Sequence, residues 1–192
     1  ILHRLRTADL EKIKAEFPDY PYPNLLRAIE VSLDSLEPEE QRRYLNLAIF
    51  PEDTEVPEAV LGLLWGLDEY DTRDLAAQLA DRSLASLSSG RLGQHDLQHD
   101  FAVRRAGDLP ALHSRLVEAY RKEGLDGWHT GPDDGYFFSH LAYHLLHSGR
   151  KEELKILLLD YRWLQARLEK TDITSLISDF DLLPEDEELG LL

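Results

Sequence analysis

"SLASLSSGRLGQHDLQHDF", residues 83–101, decides how this chain folds. Residues 83–87 alternate apolar with small polar side chains, the period of a half-exposed strand, and "SSGR" at 88–91 supplies turn chemistry. "LGQ" at 92–94 is a short return. Two His-Asp pairs, His95-Asp96 and His99-Asp100, then open a helical pattern. The stretch reads as a minimal β-hairpin feeding directly into a helix.

Helices crowd the sequence before this hairpin. Three prolines in "FPDYPYPN" deny helix between Pro18 and Pro23, and Leu25, Leu26, Ile29, Leu33 and Leu36 then fall on one helical stripe. Pro38 suits a first helical position, with acids behind it that complement the helix dipole, and Pro51 ends that helix. "VPEAVLGLLW" starts another helix at its proline, and Asp71 is the expected N-cap of one that buries Leu75 and Leu79. Helices, a small hairpin and a closing helix describe a winged-helix domain over residues 25–103, preceded at 1–24 by the end of another helical domain and a Pro-rich linker.

Beyond Gly107 the pattern is helical throughout. Asp108 caps a helix carrying Leu109, Leu112, Leu116, Val117 and Tyr120; "EGLDGWHTGPDDG" is a loop; Tyr136 to Leu145 form a helix stopped by Gly149. Helices around "KEELKILLLDYRWLQARLE" and, capped by Asp172, "ITSLISDFDLL" complete an all-α array over 104–192, with "PEDEELGLL" as an acidic exit and no internal repeat. The expected class is mainly α, a winged-helix domain with a small β-hairpin followed by a helical array.

Composition narrows the function. A net charge of −16 and the pairing of Arg73 and Arg82 with Asp71, Asp74 and Asp81 on the candidate recognition helix speak against nucleic acid, whose binding is dominated by cationic contacts to phosphates. The longest apolar run, Ala59 to Trp65, is too short for a membrane span. With no Cys there are no disulfides or thiolate sites, which suits a cytoplasmic location, and a start within a helical pattern, with no Met and no leader, leads us to expect an excised fragment. None of Ser83, Ser86, Ser88 and Ser89 sits in a nucleophile elbow, and no phosphate-binding glycine loop occurs, so no catalysis or nucleotide affinity is expected of the fragment alone.

Histidines offer metal-ligand spacing: His140, His144 and His147 at i, i+4 and i+7, and His95 with His99 at i, i+4. Leu141 stands where a hydrolase would need a glutamate, so structural roles are expected for the first three and no metal is assigned. His99 reads as a half-buried helix residue, and Trp163 and Tyr161 as core or interface anchors.

"LAIFPEDTEVPEAVLGLLW" at 47–65, "DRSLASL" and "QHDLQHDF" together resemble the winged-helix domain of NB-ARC, or STAND-class, signalling ATPases. "YFFSHLAYHLLHSGRKEELKILLLDYRWLQARL" resembles the helical domain that follows it in the apoptotic protease-activating factors, so the resemblance runs from about Leu25 to Leu183. The family's Met-His-Asp motif falls on Gln94, His95 and Asp96, with Gln94 in place of the usual apolar residue. The resemblance implies that His95 reaches the β-phosphate of ADP held by a separate P-loop domain, latching a closed state. Asp96 is the expected helix cap beside it. It further implies a nucleotide-dependent switch that uses ADP and ATP in the parent, with sensor repeats of the WD kind on the same polypeptide and homo-oligomerisation on activation. The competing reading is an acidic helical interaction scaffold in which His95 is dispensable.

Overall fold

The computed structural model describes residues 23–123 and 126–183. The Pro-rich boundary, apart from Pro23, and the acidic exit segment lie outside the described residues. The described residues are mainly α-helical with one small antiparallel sheet, and they form two compact units. One holds residues 23–58 and 67–107, the other 59–66, 108–123 and 126–183.

In the first unit, α1 (Pro23–Asp34) buries Leu26, Ile29 and Leu33 of its expected stripe, while Leu25 is exposed. Pro38 opens α2 (Pro38–Leu45), and Glu37 and Glu40 form a reciprocal capping box at its start. The helix tightens into a 3-10 turn, Asn46–Ile49, before Pro51. Val56–Pro57 is β1, not the start of a helix as its proline suggested. As a residue at a sheet margin with no N–H to donate, Pro57 fits there, opposite Arg91.

α4 (Glu69–Asp81) is capped by Asp68, whose carboxylate accepts the Asp71 N–H at 2.9 Å. The cap therefore lies three residues before the expected Asp71, which joins the first turn instead. Buried Leu75, Ala76 and Leu79 form its inner face. On its outer face Arg73 pairs with Glu58 and Glu69, and Arg82 bonds Ser35.

The hairpin is present as β2 (Ser86–Ser88) and β3 (Arg91–Gly93), with β3 central in the order β1-β3-β2. Ser88 pairs with Arg91, leaving Ser89 and Gly90 as a two-residue turn with φ of 50° and 72°. Both central residues take positive φ, as a type I′ turn requires. Val56 and Leu92 pair across the sheet and are both buried, which sets the register. α5 (Asp96–Arg105) follows, burying Phe101 and Ala102 and tied to α1 by Arg105 to Glu30 at 2.9 Å.

α3 (Glu58–Trp65) begins in the first unit at Glu58, but residues 59–66 group with the second. "AVLGLLW" is apolar on more than one face, the mark of a helix enclosed by protein, and Val60, Leu61, Leu64 and Trp65 are buried.

The second unit continues with α6 (Leu109–Lys122), capped by Asp108, and α7 (Phe137–His147). A 3-10 turn at Trp128–Thr130 lies in the connecting loop. α8 (Lys151–Leu159), α9 (Tyr161–Lys170) and α10 (Ile173–Phe180) follow, with Asp160 and Asp172 capping the last two. Gly149 takes a φ of 77° just past α7, as a helix stop requires. Trp163 is fully buried, stacked on Phe138 and edge-on to Phe137. Tyr161, expected beside it as an anchor, is 75% exposed, because two positions along a helix turn a side chain by about 200°.

Asp134 organises the loop before α7. Its carboxylate accepts the N–H groups of Tyr136 and Phe137 and the Tyr120 hydroxyl, at 2.7–2.9 Å. Gly131 lies against the Phe137 ring so closely that a Cβ there would come within 1.9 Å of Cε1. Phe137 has no exposed surface and is wedged between Tyr120 and Trp163, so it has nowhere to retreat. Gly131→Ala is expected to destabilise this unit by roughly 1–3 kcal/mol, the usual cost of overpacking. A urea midpoint equal to that of the parent sequence would contradict this packing.

Candidate functional site

His95 leaves β3 in extended conformation (φ −81°, ψ 157°), and α5 begins at the next residue. The N-cap is thus His95 itself, one residue before the expected Asp96, which occupies the first helical position. The reason lies in Gln98: its side-chain oxygen accepts the His95 N–H at 2.9 Å, while the His95 carbonyl accepts the N–H groups of Gln98 and His99 at 2.8 and 3.0 Å. A glutamine three residues after the cap supplies this return bond, so the helix starts at Asp96 without its carboxylate serving as the cap. Asp96 still complements the positive end of the dipole.

The consequence for the site is geometric. The His95 backbone is held by the helix start, and the Gln98 amide also donates to the Ser83 carbonyl at 2.9 Å, tying the helix entrance to the segment that leads into the hairpin. The residue itself is exposed. Its imidazole stands at the mouth of a ten-residue helix, where an anion is favoured.

Gln94, the departure from the family motif, turns inward beside Tyr44. Burial pushes the Tyr44 phenol well up, and the Gln94 side chain partly opposes that shift. The Gln94 side chain thus places a polar amide beside the buried Tyr44 hydroxyl.

His99 is half-buried, as expected, and its Nε2 lies 2.9 Å from the Phe50 carbonyl oxygen. One turn separates it from His95, but the two are not brought together as ligands: His99 clusters with Glu52 and Asp100 instead. Nothing near His99 in sequence announces Glu52, since that approach depends on where the Phe50–Glu55 loop packs.

The three histidines of α7 have structural partners. His140 Nδ1 and His147 Nδ1 each bond the carbonyl four residues back, on Tyr136 and Tyr143. His144 is buried between His113, with Nδ1 to Nδ1 at 2.8 Å, and the Tyr136 hydroxyl, 2.8 Å from Nε2. A lone His113 on an amphipathic helix gave no sign of this partnership. Burial lowers the basicity of His113, His140 and His144.

Residues 109–185 match the model of the APAF-1 helical domain. The chain is 28% identical over 188 residues to apoptotic protease-activating factor 1 of Danio rerio, an overlap of 93% of this chain and 15% of that protein. The Homo sapiens protein is 27% identical over 188 residues, with the same coverage. A probable disease resistance protein of Arabidopsis thaliana is 29% identical over 182 residues, covering 83% of this chain and 21% of the plant protein. Together these make the chain similar to a segment of the NB-ARC, or STAND, signalling NTPases. Within that class its likeness is to the apoptotic protease-activating factors, and it spans 15% of the length of the animal relatives it matches. Among the described residues, no helix is long and apolar enough to cross a membrane.

Proposed function

We propose that this chain is the regulatory part of a nucleotide-dependent switch: a winged-helix domain whose His95 latches onto ADP held by a separate P-loop domain, followed by a helical domain that relays a signal from sensor repeats. The observation that carries the reading is the placement of His95 at the N-cap of α5, exposed and with its backbone fixed by Gln98. An imidazole N–H there donates to a β-phosphate oxygen, and the helix end adds a favourable field. ADP then stabilises the closed arrangement. Exchange for ATP removes a contact made in that state alone and lets the domain swing toward a homo-oligomer, because a ligand shifts an equilibrium only by its difference in affinity for the two states. The nucleotide is the parent's ADP or ATP, and the setting is cytoplasmic.

In the full-length parent, His95→Ala is expected to weaken ADP retention by about ten- to a hundredfold, the range for losing a hydrogen bond to a charged group, and to raise the resting fraction of oligomer. Nucleotide off-rates and size-exclusion profiles report both quantities. Unchanged retention with an unchanged oligomer fraction sinks the latch and leaves the acidic scaffold reading in its place.

A further inference from the structure

We propose that Glu52, His99 and Asp100 form a site for a divalent cation of the zinc class, clamping the loop after Phe50 to the first turns of α5. One ligand atom from each of the three residues lies within 4.8 Å of the other two. The argument is one of lone pairs. His99 Nε2 sits 2.9 Å from the Phe50 carbonyl oxygen, which only accepts, so Nε2 carries the ring hydrogen. With the ring neutral, Nδ1 is then an acceptor; it is buried and has no hydrogen-bond partner. Its neighbour Glu52 Oε1, 3.6 Å away, is another acceptor, as is the Asp100 carboxylate. Three acceptors converge with no donor among them, and a cation satisfies all three.

The remaining details suit a metal. A ligating imidazole nearly always donates its other N–H to a carbonyl or carboxylate, which fixes the tautomer, and Phe50 supplies that carbonyl. One imidazole and two carboxylates match zinc and its borderline neighbours, whereas calcium and magnesium prefer oxygen alone. The Glu52 side chain is 59% exposed, leaving a route for the ion and room for water to complete its coordination. The site is independent of the nucleotide latch, since it uses neither His95 nor the P-loop domain.

The test is zinc titration of this chain, purified without a histidine tag and stripped with chelator, followed by calorimetry. Saturable binding of about one zinc per chain is expected, with affinity at least ~10-fold weaker in Glu52→Gln and in His99→Leu, and no competition from calcium. Glu52→Gln alters an exposed side chain and keeps the test decisive if His99→Leu folds poorly. No saturable binding, equal affinity in Glu52→Gln, or equal affinity for calcium overturns the proposal. So does a His99 ring that carries protons on both nitrogens at pH 8 by nitrogen NMR, since Nδ1 would then be satisfied by a proton.

Discussion

Asp179→Ala is expected to cost about 3–5 kcal/mol, read as a large drop in the urea midpoint, because it strands a buried guanidinium. Arg167 is 1% exposed, at the inner face of α9. Its Nε donates to Asp179 at 2.9 Å, Nη2 to the Ser175 carbonyl at 3.2 Å, and Nη1 to the Thr171 hydroxyl. The pair ties α9 to α10 across a twelve-residue gap.

Yet a buried ion pair need not be a net source of stability. Burial raises the Asp179 carboxyl above its ordinary value even with Arg167 against it. This sets a second expectation: replacing both partners with apolar residues, Arg167→Met with Asp179→Leu, should recover most of the loss or exceed the parent. Thr171 keeps its own bond to the Arg167 carbonyl at 2.7 Å in that variant. If the double variant is as unstable as Asp179→Ala, the helix junction depends on the charges themselves.

Local chemistry was legible in the sequence, and long-range pairing was not. Ser89-Gly90 announced the hairpin turn, and Asp108 and Asp172 announced their caps, because each acts within four residues of itself. Pro57 was misread as a helix start since proline serves equally at a first helical position and a strand margin. Its pairing with Arg91, thirty-four positions on, decides between them. Asp68 and Asp71 both qualify as caps by type, and packing of Leu75 and Leu79 chooses the register. The same split holds for the candidate site. "QHD" at the mouth of a helix is readable, whereas Glu52 against His99 and His113 against His144 arise from tertiary packing that no spacing rule reaches.

The His113–His144 contact is expected to make the helical unit acid-labile. Two facing Nδ1 atoms at 2.8 Å share one hydrogen, and either tautomer leaves His144 Nε2 bonded to the Tyr136 hydroxyl. With both rings neutral, the Nδ1–Nδ1 bond and the Tyr136 bond are both made. One added proton must be carried without water, and a second would set N–H against N–H. Nearby charge offers no rescue: His147 stacks on His113 at 5.2 Å, and His140 also opposes protonation of His144. Burial, with His147 contributing, lowers His113 from 6.5 to about 4, and His144 shifts in the same direction. The folded pKa lies below the unfolded one, so the unfolded chain takes up protons first as pH falls. Stability is therefore full above pH 6.5 and declines down to about pH 4, by about 3 kcal/mol from His113 alone, at ~1.4 kcal/mol per pKa unit, with His144 adding to it. Urea midpoints between pH 7 and 5, above the range in which most carboxylates titrate, should fall steadily, and the slope should shrink in His113→Leu whatever that variant's stability at neutral pH. A midpoint that stays level from pH 7 to 5, or a slope that His113→Leu leaves intact, would show that these imidazoles meet their protons in the folded chain as readily as in the unfolded one.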